Sequence, residues 1–579
     1  MSMRSRVLGL LPRWSRRAAR KVLTRARHAR NTRVLKAARA QGWKEPGTRR
    51  LLMELETALR SATLPARLAV LTSGESPDWQ AIVTTVFPGA RVVVVPADTS
   101  RSTAHARLAA FGRYQAILDD TGGGSERIPD LQHVFLHLRV GGVLFVRRPQ
   151  REPALAWTAL AEEVTGRVED PNPRKNRGYK WQPIPKAVDS VVIRSGHVAL
   201  TNRRRAVAKL REYEMDVVLA ERGDTSTEVV RLPPQEFVSR CSLRENSAER
   251  DPHMAESYAV PAMSLRVYED VLCAPRQVAV QGNLALPDTF RFNAAPQLTN
   301  RFLFDLGPYF APARGGAKKA RRLEGTYFYL DSEWTKHFGH VVTEQLSRLW
   351  AVPEARKLAP DLKALLDRRN RKTGITSYEL EIFGAAGFCE SEITLHHRPV
   401  RVERLIAASP MWALPTHVHP DIADLWQTIG ERVAARAPEV THAPRIFLSR
   451  RQARRGCRNV GEVEALFATY GFEIVHPEDL PLPAQIKMFR EAEVIAGFAG
   501  SGMFNMQFCP TPRHVIVLAP TSYPSRNEYM ICAAAGHRLD YVWSTPDPEE
   551  VQGPKPQYAG FRFDFENEGV FLREVLDGL

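Results

Sequence analysis

Residues 491–518 read EAEVIAGFAGSGMFNMQFCPTPRHVIVL. An apolar run, Val494-Ile-Ala496, passes straight into the glycine-rich turn Gly497-Phe-Ala-Gly-Ser-Gly-Met-Phe-Asn505, and a second apolar run, Val515-Ile-Val-Leu518, follows Phe508-Cys-Pro510. A strand that meets a glycine-rich turn at a helix N-terminus points backbone N–H groups outward, where they can hold a phosphate, although the same glycines also serve plain helix-on-strand packing. Upstream the pattern recurs. The strand Arg445-Ile-Phe-Leu-Ser449 leads into Arg450 and a basic loop through Arg458. A helix follows at Glu462–Tyr470, a strand at Gly471–Val475 and a helix at Leu480–Glu491 that carries Gln485. Strands alternating with helices in this way predict a parallel, doubly wound sheet.

Before this region, Tyr327-Phe-Tyr-Leu330 reads as a short strand, then Asp331-Ser-Glu-Trp, then a helix over His337–Trp350. At 100° per residue His337, His340, Glu344 and Arg348 share one face, and Phe338, Val342, Leu346, Leu349 and Trp350 share the other. Two imidazoles, a carboxylate and a guanidinium on one stripe can supply a general base and an anion contact. The same stripe also reads as a solvated helix face, or as metal-ligand spacing.

The order and spacing of these blocks, Tyr327–Trp350, Arg445–Arg458 and Gly471–Asn505, resemble glycosyltransferase family 61, which includes capsular-polysaccharide enzymes. The resemblance covers about 260–545. It implies a GT-B-like pair of Rossmann-like lobes, a nucleotide-sugar donor, an inverting reaction and a glycan or lipid-linked glycan acceptor. Carried over by residue, it gives His337, His340 and Glu344 on the helix, Ser449 and Arg450 at the strand end, Gln485 before the loop and Asn505 at its close. The family's Gly-x-His-Gly-Ala loop has Ala499 and Ser501 here at its histidine and alanine positions. No two aspartates stand in an Asp-x-Asp triplet, so the expected chemistry needs no metal and no tightly bound cofactor. Arg450, Arg458 and the loop at Gly497 and Gly500–Gly502 would neutralise the leaving diphosphate. The expected base is His340, then Glu344, then His337, with Asp331 in reserve.

The first half alternates Leu68–Leu71, a helix near Asp78–Phe87, Arg91–Val95, Gln115–Leu118 and Gly142–Val146. Its texture, with Leu118-Asp-Asp120 closing a strand, resembles a class I methyltransferase domain. The first turn, Thr72-Ser-Gly-Glu-Ser76, carries one glycine, and Asp98 arrives two residues after the second strand. A degenerate domain without S-adenosylmethionine is therefore the expectation. Ser190–Ile193 and Asp216–Leu219 read as short strands, and polar Cys241–His253 as a linker. The division expected is an arm at 1–60, a methyltransferase-like domain with extension at 61–240, a linker at 241–259, an acceptor-side lobe at 260–425 and a donor lobe at 426–579.

The chain has 579 residues, 44% hydrophobic and 25% charged, ordinary for a multidomain globular protein. Sixteen of the 81 basic side chains lie in residues 1–50 against the single acid Glu45, so this segment carries +15 of the net +17. That local charge argues against a nucleic-acid-binding face spread over the fold. Val7, Leu10, Leu11, Trp14, Ala18 and Val22 follow a helical period among the arginines, which fits an amphipathic helix on an anionic membrane; a solvated basic tail is the other reading. Six scattered cysteines with no C-x-x-C pair suggest neither zinc nor a disulfide framework, and a cytoplasmic protein, peripheral on the inner face of the plasma membrane, is expected. A methyltransferase or bifunctional enzyme, and a non-enzymatic membrane- or nucleic-acid-associated scaffold, remain the competing classes.

Overall fold

The computed structural model describes residues 33–41, 48–60, 65–73, 78–122, 128–131, 133–148, 157–158, 161 and 187–579, apart from 248, 250, 292–299, 301, 313–319, 440 and 452–454. The chain divides into two compact units. The first takes Met1–Thr225, Gly282–Ala285 and Leu303–Ala313; the second takes Ser226–Gln281, Leu286–Phe302 and Arg314–Leu579.

Among the described residues of the first unit, two helices come first, α1 (Arg33–Ala40) and α2 (Thr48–Arg60). Here the expected arm at 1–60 is corrected. Val34, Leu35, Ala38, Leu51, Leu52, Leu55 and Leu59 are buried in one cluster with Leu68 and Val70 of the first strand. The basic residues of these helices lie off that apolar stripe, so a charge count hides a packing face. The proposed membrane helix at residues 7–22 lies outside the described residues.

The strands β1 (Arg67–Thr72), β2 (Arg91–Pro96), β3 (Tyr114–Asp120), β4 (Leu138–Arg147), β5 (Val188–Ile193) and β6 (His197–Asn202) form one sheet in the order β2-β1-β3-β4-β6-β5. Neighbours from β2 to β4 are parallel, and β6 is antiparallel to both β4 and β5. The crossover helices α3 (Trp79–Val86) and α4 (Arg101–Phe111) begin at caps: Ala81 N–H donates to Asp78 at 2.9 Å and Thr103 N–H to Ser100 at 3.1 Å. Strand order reverses between β1 and β3, the position where open parallel sheets form a crevice at their carboxyl ends. Asp216–Leu219, expected as a strand, lies inside the helix α5 (Glu212–Arg222). Acids in its first turn and the left-handed Gly223 at its end, φ 63°, supply the start and stop signals that outweigh a short β-branched run.

In the second unit β7 (Ser242–Glu245), β8 (Met263–Cys273), β9 (Ala279–Gln281), β10 (Arg321–Tyr329), β11 (Lys363–Asp367), β12 (Ile393–His396) and β13 (Val400–Ala408) precede the C-terminal strands β14 (Arg445–Leu448), β15 (Glu473–Val475), β16 (Val494–Phe498), β17 (His514–Pro520) and β18 (Arg538–Ser544). Within one larger sheet the strands run β9-β8-β13-β10-β11-β12 and are mixed: β8 is antiparallel to β13, whereas β13, β10, β11 and β12 are parallel. The expected Rossmann-like texture is thus confined to one side of this lobe. The other sheet, β7-β18-β17-β16-β14-β15, is parallel throughout.

The segment expected as a linker is part of that parallel sheet. β7 pairs with β18 from Ser242↔Arg538 to Glu245↔Tyr541, and the Trp543 indole N–H donates to Glu245 at 2.8 Å. Its polar side chains are spent at a sheet edge and on ion pairs such as Arg526–Asp251. Strand order in this sheet reverses between β14 and β16, so its crevice opens where Arg450 and the glycine-rich turn stand. Helices α6 (Val460–Thr469), α7 (Leu482–Glu491) and α8 (Asn527–Ala535) flank it.

Candidate active site

The stretch 338–358 is one helical run whose hydrogen bonding changes along its length: α at Phe338–His340, π at Val341–Gln345, 3₁₀ at Leu346–Ala351 and α again at Val352–Leu358. Such changes rotate residues away from a strict 100° register. His340 and Glu344 keep the expected pairing, with Nδ1 and Oε1 2.8 Å apart. Arg348 does not stay on their stripe. Its guanidinium is buried and donates to the carbonyls of Ala408, at 2.9 Å, and Asp288, which makes it an internal anchor and not an anion contact.

Arg291 takes the place next to the pair. Its Nη1 is 3.2 Å from Glu344 Oε1 and 3.8 Å from Glu333 Oε2. Burial opposes ionisation of Glu344, but the His340 hydrogen bond and charge, then Arg291 and Arg348, hold its carboxyl below the usual range. An ionised Glu344 accepting from Nδ1–H fixes the His340 tautomer and leaves Nε2 with its lone pair free to take a proton. His337 stands at the head of the run, its ring 4.9 Å from that of His340 and edge-on to it.

Asp331 is buried, with both carboxylate oxygens on His396 Nε2 at 2.8 and 3.0 Å. The expected reserve base is thus held in a buried pair with His396. Asp367 is buried beside this pair and accepts backbone N–H groups of Ser332 and Arg276. Burial and the Asp331 charge push its carboxyl up to about 7. Burial works against a charged His396, but Asp331 and Asp367 outweigh it and raise the imidazole above its ordinary value.

The expected donor residues divide into three kinds. Some are used internally. The Ser449 hydroxyl donates to Glu464. Gln485 donates to the carbonyls of Pro477 (2.7 Å) and Leu480 (2.9 Å) and accepts from Asn505 Nδ2 at 2.9 Å, so the two amides lock the turn to α7. Arg458 is neutralised by Asp547 (2.5 Å) and Glu550 (3.0 Å). Gly497 is a packing glycine, since a Cβ there would lie 2.8 Å from Leu448 O and Met503 Sδ. Each of these residues therefore already has a structural role within the unit.

Others line the crevice in modified form. Arg450 donates to the carbonyls of Phe498, at 2.9 Å, and Ala499, and burial together with neighbouring Arg455 pushes its guanidinium down to about 10. Gly500, at φ 142°, gives its N–H to Glu528 Oε1 at 2.5 Å. Burial raises the Glu528 carboxyl although the Gly500 N–H and nearby arginines act the other way. A carboxylate therefore already sits where the first loop amide was expected to meet phosphate. Ser501 and Gly502 remain open: Gly502 is exposed, and a Cβ on it would meet nothing within 4 Å.

The two blocks meet at Gly339. A Cβ on it would lie 3.1 Å from Ser501 Cβ and 3.1 Å from Phe504 Cε2, so absence of a side chain lets the head of the histidine run rest on the glycine-rich turn. The head of the histidine run thereby lies beside the start of the glycine-rich turn. Residues that sequence reasoning missed are Arg291, Glu528 and Arg455, whose Nη2 would be 3.1 Å from a Cβ on Gly500 and whose guanidinium lies 4.5 Å from the Tyr523 ring centre. Arg455 was inside the basic loop but carried no spacing signal, and Arg291 and Glu528 come from distant segments.

Among the described residues, no three His, Cys, Asp or Glu side chains converge so as to hold a metal ion, and no helix is long and apolar enough to cross a membrane.

The family model described as Glycosyltransferase 61 matches residues 338–516, from the histidine run to β17. This supports a glycosyltransferase in the second unit. None of the curated proteins compared matches the chain. Among solved structures, the chain is similar to MycE methyltransferase of the mycinamycin biosynthetic pathway, solved with Mg and SAH, at 12% identity and TM-score 0.24, over 30% of this chain and 55% of that one. It spans about half the length of that methyltransferase. It is also similar to the iron-containing dodecameric glycosyltransferase TibC from enterotoxigenic E. coli H10407, at 11% identity and TM-score 0.24, over 55% of this chain and 94% of that one. At these TM-scores neither similarity carries an argument.

Proposed function

We propose that the second unit is an inverting glycosyltransferase of the GT-B type, which moves a sugar from a nucleotide-sugar donor to a hydroxyl of a glycan or lipid-linked glycan acceptor in cell-surface or capsular polysaccharide synthesis. The observation that carries this reading is the seating of Gly339 on Ser501, which sets a His–Glu pair against the carboxyl-end crevice of a parallel sheet. The donor diphosphate lies against the Ser501 and Gly502 amides and Arg455, with Arg450 stiffening the turn from behind. His340 Nε2 removes the acceptor proton as the hydroxyl attacks the anomeric carbon opposite the leaving diphosphate, and Glu344 stabilises the imidazolium that forms. The positive charge is supplied by arginine and backbone dipoles, so the reaction runs without a divalent metal.

The first unit is read as a methyltransferase-like fold that does not use S-adenosylmethionine. At its β1/β3 crevice Asp120 is already paired with Arg147 at 2.7 Å and accepts from the Trp79 indole at 3.3 Å, while Asp119 accepts from the Thr121 hydroxyl at 2.6 Å. The basic segment ahead of α1, residues 1–32, is proposed to bring a cytoplasmic protein to anionic membrane lipids. The test is release of the leaving nucleotide (UDP, GDP or CMP) from a panel of UDP-, GDP- and CMP-sugars in EDTA with polysaccharide acceptors, followed by assignment of the new anomeric centre. Turnover that requires Mn²⁺, or a product with retained configuration, contradicts the mechanism.

A further inference from the structure

Trp334 is 49% exposed yet held firmly. Its backbone N–H donates to Ser332 Oγ at 3.3 Å, its carbonyl accepts from the His337 backbone N–H at 3.2 Å, and the Ser332 backbone N–H donates to the buried Asp367 at 3.1 Å. The indole lies nearly parallel to the His340 ring, 21° between planes and 5.9 Å between centres. The Arg276 guanidinium stands 6.0 Å from the indole centre, and its Nε–H donates to Glu333 O at 3.1 Å.

Arg276 comes from a strained segment. Arg276, Gln277 and Val278 have φ of 65°, 70° and 74°, a left-handed run that non-glycine residues, and β-branched valine above all, seldom adopt. Asn300 Nδ2 donates to the Pro275 carbonyl (2.9 Å) and the Gln277 carbonyl (3.2 Å), and Asp367 Oδ2 accepts Arg276 N–H at 2.8 Å. The same segment reaches the pair by a second route, because Gln277 Oε1 accepts the N–H of Arg291 at 2.9 Å. Strain held in place around an ordered, exposed aromatic marks a surface built for a ligand.

Which ligand follows from position. A base works on the acceptor hydroxyl, so whatever lies on the aromatic next to His340 is acceptor and not donor. We propose that Trp334 and Arg276 form an acceptor subsite for a pyranose with one continuous C–H face, a β-gluco or β-galacto unit. The ring lies on the indole, a hydroxyl meets the guanidinium, and the attacking hydroxyl points to His340 Nε2; this rests on the glycosyltransferase reading above. The electron-rich indole face attracts the axial C–H groups at positions 1, 3 and 5, or 3 and 5 with the C6 methylene for galactose.

Saturation-transfer NMR with methyl β-D-glucopyranoside and methyl β-D-galactopyranoside tests it on the full chain. Wild type should saturate the axial protons of one face. Trp334→Ala should lower that transfer about tenfold, the scale of one aromatic contact, and Trp334→Phe should keep most of it. Equal transfer in wild type and Trp334→Ala, or no face selectivity in wild type, overturns the subsite. Face-selective saturation in a chain that transfers sugar from no nucleotide donor removes the glycosyltransferase reading and keeps the subsite. Sugar transfer with an unchanged acceptor KM in Trp334→Ala removes the subsite and keeps the enzyme.

Discussion

Both units contain a run of parallel strands whose order reverses once, β1/β3 in the first and β14/β16 in the second, and the two crevices are furnished differently. At β1/β3 the acid is consumed: Asp120 has no exposed surface and holds Arg147 and the Trp79 indole. At β14/β16 the turn presents exposed Gly502, and a His–Glu pair packs against it through Gly339. Under the function proposed above, the same topology serves as a scaffold in one unit and as a site in the other. The second crevice also has groups held internally, Ser449 on Glu464 and the Gly500 N–H on Glu528, and differs in keeping the start of its turn exposed at Gly502.

The sharpest way to break this contrast is His340→Ala. It should lower kcat by about 10²–10⁴-fold with donor affinity nearly unchanged, because only the proton transfer is removed. A near-normal kcat would move the base to His337 or to solvent. The mirror experiment in the first unit is Arg147→Ala, which leaves the buried Asp120 carboxylate without its cation. The first unit should lose about 3 kcal/mol in chemical denaturation while turnover at saturating substrate is unchanged. Lost turnover with an unchanged melt would make that crevice functional.

Gly339→Val sharpens the claim that two blocks make one site. A branched side chain where Ser501 and Phe504 leave 3.1 Å should cost about 1–3 kcal/mol and lower kcat, by parting His340 from the turn. A full kcat in this variant would uncouple the blocks.

The smallest effect concerns pH. Asp367 is raised to about 7, so the unfolded state releases its proton from near pH 4 while the folded state keeps it, and stability falls from there toward 7. His396 is raised by Asp331 and Asp367 against the effect of burial; its contribution is complete below about 6.5 and is lost as pH rises through the folded value. Both act in one direction, so the melting temperature of the second unit should drop as pH rises from 4 past 7, by about 2–4 °C per kcal/mol. His396→Gln should flatten the part above 6.5. A melting temperature that rises across this range contradicts the pairing.

How much was legible depended on whether a signal was local. The strand–turn–helix punctuation at 445–518 and the His340–Glu344 spacing are local, and both elements form. Arg348 misled because the run passes through π and 3₁₀ turns, which no periodicity reveals. Ser449, Gln485 and Asn505 stand at the expected places, yet their side chains are spent on Glu464 and on each other, a matter of tertiary partners. Helices α1 and α2 hid behind a charge excess, and the edge strand β7 behind a polar composition. Arg291 and Glu528 reach the site from segments dozens of residues away and left no trace in the motifs.

The central claim is that the second crevice, and not the first, holds the nucleotide. Titration calorimetry of UDP-, GDP- and CMP-sugars in EDTA, with wild type, Arg455→Ala and Arg147→Ala, tests it most directly. The account predicts that one nucleotide sugar binds wild type, that Arg455→Ala weakens it at least about tenfold, the scale of one charge-assisted contact to phosphate, and that Arg147→Ala leaves it unchanged. Binding that ignores Arg455→Ala and disappears in Arg147→Ala, or that appears only with a divalent cation, contradicts it.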